Sequence, residues 1–125
     1  MKRFLKYLLI LAAMAAAALA IDYWNVTRKE KRLSIAVSQI GGRNGSIPFW
    51  PLGTEYRITL TAIPTAGQLD QLKIANEMRG WVGIAFEDCG LTADDRDRLR
   101  RNLERCHLFV VQDGKRNPLD DAGTN

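Results

Sequence analysis

The stretch "WVGIAFEDCGLTADDRDRLRRNLERCHLFVV", residues 81–111, decides how this chain is read. An apolar run breaks at Cys89-Gly90, a charged segment follows, and the chain turns apolar again at His107. "WVGIAF" (81–86) and "HLFVV" (107–111) are short and rich in β-branched and aromatic residues, which predicts two strands. Between them Thr92 opens a helix. Asp95 stands in the capping-box position, and Asp94 joins it in the first turn, where the helix dipole favours negative charge. Leu99, Leu103 and Cys106 recur at i, i+4 and i+7 as a narrow apolar stripe. The stretch therefore reads as strand, helix, strand.

The same pattern extends upstream. "YRITLTAI" (56–63) alternates as a strand and is stopped by Pro64. Thr65 with Gln68 forms a second capping box, Leu69 and Leu72 with Ala75 or Ala66 mark the apolar side of that helix, and Gly80 ends it. "LSIAVSQI" (33–40) alternates Leu33, Ile35 and Val37, so a first strand is expected there. "GGRNGSIPFWPLG" (41–53) is dense in Gly and Pro and reads as a loop; residues 113–125 read as a loose polar tail. Ile35, Ile58, Val82 and Leu108 follow one another at spacings of 23, 24 and 26 residues. The helix starts "TAGQLDQL" (65–72) and "TADDRDRL" (92–99) align at an offset of 27. A strand-plus-helix unit of this period is that of leucine-rich repeats.

Trp81, Ile84, Phe86, Cys89 and Leu91 occupy the L-x-x-L-x-L-x-x-N/C-x-L positions in register, with apolar substitutions. The chain thus resembles a degenerate leucine-rich repeat protein of the ribonuclease-inhibitor-like class. More narrowly, "GLTADDRDRLRRNLERCHLFV" (90–110) is similar to the closing repeats of planctomycete-type bacterial proteins, with Leu103, Cys106 and Leu108 at the closing positions. The resemblance covers residues 55–112, or 33–112 at most. It departs at Ile63, where Asn or Cys is expected, and after Val37, where no helix follows. It implies a short parallel sheet with helices on one face, in which a residue at the Cys89 position bonds to neighbouring backbone. The alternative architecture is a ferredoxin-like α/β sandwich.

"MKRFLKYLLILAAMAAAALAIDYW" (1–24) has a basic start and an unbroken apolar run from Tyr7 to Ile21. The favoured reading is an uncleaved single-pass anchor stretched over residues 4–24, with Lys6 snorkelling and Tyr23-Trp24 at the far interface. The other reading is a signal peptide cleaved after "ALA" (18–20), which leaves a secreted or periplasmic protein. Lys2, Arg3 and Lys6 nearly balance Arg28, Lys29, Lys31 and Arg32 across the segment, and the signal-like start favours an extracytoplasmic domain. The expected organisation is anchor or signal (1–24), charged connector (25–32), small β-α repeat domain (33–112) and tail (113–125).

The 125 residues carry +4, but residues 25–125 hold 15 bases against 13 acids. A nucleic-acid role, which shows as a concentrated basic face, is not expected. In "DDRDRLRRNLER" (94–105) the arginines are offset by Asp94–Arg98 and Asp97–Arg101 pairs at i, i+4. His107 has only Cys106 beside it, and on a strand the two point to opposite faces, so no metal site is expected. Cys89 and Cys106 are separated by the helix between them and are expected to be buried free thiols. The acids Glu87 and Asp88 stand alone at a strand end. No phosphate loop or Ser/His/Asp set is present. No catalytic residue, cofactor or metal is assigned.

The expected role is a membrane-anchored protein–protein interaction module. Its surface would comprise the outward sheet residues Thr59, Thr61, Gly83, Ala85 and Glu87. Phe49 and Trp50, held between two prolines, would serve as an aromatic anchor or as a cap over the open end of the sheet. The partner would be another protein or a second copy of the chain, since short repeat arrays bury each unit on a neighbour. A secreted structural subunit and a small enzyme using Cys89 or Glu87-Asp88 are the alternatives.

Overall fold

The structure, a computed structural model, describes residues 1–119. It opens with one continuous helix, α1 (Lys2–Gln39), 38 residues in length. Near its N-terminus α1 is long and apolar enough to cross a membrane. At 1.5 Å per residue the helix runs about 57 Å, roughly twice the hydrocarbon thickness of a bilayer. The C-terminal part of α1 belongs to the folded domain, where Leu33, Ala36 and Val37 are buried.

The strand expected over residues 33–40 is the end of α1 instead. Leu33, Ala36 and Val37 are the buried residues, the i, i+3, i+4 spacing of a helix face. Ile35, which a strand would bury alongside Leu33 and Val37, is 48% exposed. The alternation of Leu33, Ile35 and Val37 shares two positions, Leu33 and Val37, with the helical stripe, so the residues alone fit both periods.

Five strands form one sheet in chain order: β1 (Arg43–Ile47), β2 (Glu55–Leu60), β3 (Val82–Glu87), β4 (His107–Gln112) and β5 (Lys115–Pro118). The central strands β2, β3 and β4 run parallel. The two edges, β1 against β2 and β5 against β4, are antiparallel. The sheet is thus mixed, with five strands, where a purely parallel one of three or four was expected. Its element order also differs from the β-α-β-β-α-β of a ferredoxin-like sandwich.

Each parallel step needs a crossover. The first is α2 (Ala66–Leu72), continued by a 3-10 turn over Lys73–Glu77, and the second is α3 (Ala93–Asn102). Both start at complete capping boxes, Thr65 with Gln68 and Thr92 with Asp95. The α-helix after Thr65 stops at Leu72 rather than reaching Gly80. Gly80 does hold a left-handed φ of +99°, and a Cβ there would collide with the Gly53-Thr54 backbone.

One sheet face carries the core. Tyr56, Ile58, Leu60, Val82, Ile84 and Phe86 alternate onto it and meet Leu33 and Val37 of α1, Leu69 and Leu72 of α2, and Leu99 of α3. Leu103, just past α3, closes the same cluster. Asn76 ties the 3-10 turn to the end of α3: its amide donates to the Asn102 carbonyl (2.7 Å) and its side-chain oxygen accepts from the Arg105 N–H (3.2 Å).

Two segments read as irregular are strands at the edges. β1 lies inside the Gly/Pro-rich stretch, and β5 lies in the supposed tail, where Leu119 is also buried and donates its N–H to the Leu108 carbonyl (2.9 Å). Both strands are exposed along their length, so they carry no apolar alternation. Their order comes from backbone bonds to β2 and β4. The remainder of the expected tail, residues 120–125, lies outside the described residues.

Candidate functional site

The helices cover one face of the sheet and leave the other open. Strand register sets the residues of the open face in rows. Arg57, Gly83 and His107 form one row, and Thr59, Ala85 and Phe109 the next. Glu87 lies beside Val111, and Thr61 sits just beyond the end of β2.

The composition of this face is aromatic rather than small. Trp81 stacks on His107 with ring centroids 5.3 Å apart and planes 18° from parallel. It also lies 6.2 Å from Phe109. Arg116 on β5 caps the far side of Phe109, its guanidinium carbon 4.1 Å from the ring centre. Trp81 lies directly over Gly83, so any Cβ at Gly83 would strike the indole. Gly83 and Ala85 are both buried under this layer. Of the sheet residues expected at a partner surface, these two are therefore buried, Gly83 beneath the Trp81 ring. Trp81, His107, Phe109 and Arg116 were not foreseen. Their signal was available, because Trp81 shares the parity of Gly83, and His107 and Phe109 share one parity on β4.

Two ion pairs lie on the open face. Arg43 meets Glu87 at 3.3 Å, and Arg57 meets Glu55 at 2.9 Å. Both pairs are well exposed and contribute little to stability. Within each pair the charges offset each other on the β1–β2 side of the stacked aromatic stripe, while Arg116 stands on its other side, over Phe109.

A second cluster joins α1 to the domain. Asp22, one residue past the apolar run, accepts from Arg79 at 2.7 and 3.0 Å and from the Trp50 indole N–H at 3.2 Å. Arg79 also donates to the Pro51 carbonyl (2.9 Å), and Tyr23 meets Trp50 edge to face at 5.2 Å. Eight residues beyond Asp22, about two turns further along α1, Glu30 accepts from the Thr54 hydroxyl (3.3 Å). Burial, with Glu30 adding to it, pushes the hydroxyl pKa of the adjoining Tyr56 up. Trp50 therefore lies beside the helix at the Asp22 level and Phe49 is exposed next to it in the chain, where a cap over the end of the sheet was one expectation.

Cys89 and Cys106 are free thiols, each half-buried. The Cys89 sulfur lies 3.6 Å from the carbonyls of Leu60 and Glu87, at the bend where Asp88 takes a positive φ of 54°. The Cys106 sulfur faces the Asn76 side-chain oxygen at 3.7 Å. Burial raises both thiol pKa values, that of Cys106 to about 12; Asp88 and Glu87 add to the shift at Cys89. A thiol held protonated is a poor nucleophile and a poor metal ligand. Among the described residues no three His, Cys, Asp or Glu side chains converge on a point where a metal could sit.

On α3 the acids neutralise the arginines through i, i+3 pairs, Asp97–Arg100 at 3.3 Å and Asp95–Arg98 at 3.9 Å. The expected i, i+4 partners are engaged elsewhere: Arg98 donates to the Pro64 carbonyl and Arg101 to the backbone carbonyl of Asp97. On α1, Arg28 lies over the Trp24 ring at 5.6 Å.

Comparison of the chain with protein-family models, with curated proteins and with solved structures gave no match.

Proposed function

We propose that this chain is a single-pass membrane-anchored interaction module, whose open sheet face takes a protein partner or a second copy of the chain. The observation that carries the reading is the Trp81–His107–Phe109 stripe on a sheet face that no helix among the described residues covers. Aromatic side chains flanked by Arg are the usual content of interface centres. The Arg43–Glu87 and Arg57–Glu55 pairs offset two of the basic groups on this face, which favours a protein over a phosphate backbone, since the latter needs a concentrated basic surface. The long apolar part of α1 supports the anchor, and its unbroken run into the domain core favours retention over cleavage.

A degenerate leucine-rich repeat is the proposed ancestry. Two parallel strand–helix steps, helices gathered on one face, and the Cys89 sulfur beside the Leu60 and Glu87 carbonyls support it. The antiparallel edge strands would then act as terminal caps. An extracytoplasmic domain remains the preferred orientation, on the signal-like basic start of the sequence.

Site-specific photocrosslinking tests the module. A benzophenone amino acid at Phe109 should give a discrete adduct in the native membrane, and one at Arg101 on the helix layer should give none. Equal yields at the two positions would remove the sheet face as the interface. Intact mass of the membrane-extracted protein tests the anchor: a chain lacking residues 1–20 would make it the secreted subunit instead.

A further inference from the structure

We infer that the loop over residues 47–52 is a second membrane contact, lying in the lipid interface beside the exit point of α1 and setting the tilt of the domain. This rests on the anchored reading of α1 above. The geometry begins at the far end of the helix. The Gly42 N–H donates to the Val37 carbonyl (2.9 Å), and from there β1 runs back along α1. The eight residues to Trp50 cover about 26 Å when extended, and the fifteen helical residues from Val37 back to Asp22 cover about 22 Å. The two paths meet where the Trp50 indole donates to Asp22. The apolar run ends at Ile21, so this meeting point is the boundary between lipid and water.

The loop is apolar and open at that boundary. Phe49 is 60% exposed, Leu52 65% and Trp50 36%, and the Trp50 ring meets the exposed ring of Tyr23. Indole and phenol rings favour the headgroup level, where one end is apolar and the other wet. The loop is also held in place. Arg79 donates to both Asp22 and the Pro51 carbonyl, and Gly53 packs directly on Gly80. A carboxylate in the last turn of a span is costly unless paired. Arg79 and the Trp50 N–H supply that pairing, which lets the buried helix extend to Tyr23-Trp24.

The full chain in phosphatidylcholine vesicles, doped with a phospholipid bearing a diazirine at its first acyl carbons, tests this. After photolysis, carbene adducts are expected on residues 4–24 and on 47–52, with none on 107–112 at the far side of the sheet. Substituting Phe49→Ser with Leu52→Ser, both exposed and so harmless to the fold, should lower the loop yield several-fold and leave that of the span unchanged. Adducts confined to residues 4–24, or a loop yield indifferent to the double substitution, would overturn the second contact while the anchor stands. Adducts absent from 4–24 as well would overturn both.

Discussion

Arg79 grips Asp22 across 57 residues of sequence through two bonds of 2.7 and 3.0 Å, and so fastens the sheet domain to α1. Both side chains keep substantial solvent contact, so the pair sets position more than global stability. Asp22→Asn and Arg79→Ala should each raise amide exchange in residues 50–56 while leaving β3 and β4 protected. The double variant should be no worse than either single one. Exchange mass spectrometry in detergent reads the difference, and additive effects would show that the two residues act separately.

Leu33 is fully buried in the domain core while Ile35, two residues on, faces outward. Leu33→Ala should therefore cost about 2–5 kcal/mol, the range for emptying a packed leucine site. Ile35→Ala should stay within about 0.5 kcal/mol. Denaturant midpoints of the solubilised chain would check this contrast, and similar losses at both positions would contradict the helical face.

Gly83 is the floor on which Trp81 lies. Gly83→Ala should lift the indole off the sheet, destabilise by about 1–3 kcal/mol through overpacking, and shift tryptophan emission to the red. It should also lower the crosslinking yield at Phe109, because the stacked stripe would lose its central ring.

The start of α3 is a local and pH-sensitive element. Thr92→Ala should cost about 1 kcal/mol by freeing the first-turn amides. Hydrogen bonds from the Thr92 backbone and hydroxyl hold the Asp95 carboxyl below its usual value of 3.8. A lowered folded pKa means that the contribution is present above the unfolded value and lost as pH falls through the folded one. The denaturation midpoint of the native chain should thus fall more between pH 5 and about pH 3 than that of Asp95→Asn.

The two thiols should resist alkylation at pH 8 in the folded chain, since both pKa values are raised, that of Cys106 to about 12. Iodoacetamide labelling should become fast only on unfolding. Cys89→Ser retaining crosslinking at Phe109 would agree with a structural role for that thiol. Rapid modification of either native cysteine would revive a chemical one.

Features whose cause is local could be read from the residues alone. The two capping boxes, the helix starts behind them, the strands at 56–60, 82–86 and 107–111 and the apolar run to Ile21 all follow from side chains within a few positions of each other. The open face was half legible, because strand parity names outward positions but not which ring covers which glycine. What needed the fold was everything whose cause is distant in sequence. Leu33 and Val37 fit both periods, and only packing against Leu69 and Leu72 selects the helix. β1 and β5 have no pattern of their own and exist because β2 and β4 offer them free backbone edges. The Asp22–Arg79 grip and the Trp81 stack likewise arise between residues that no short-range rule connects, since a folded chain sets contacts by space and not by order.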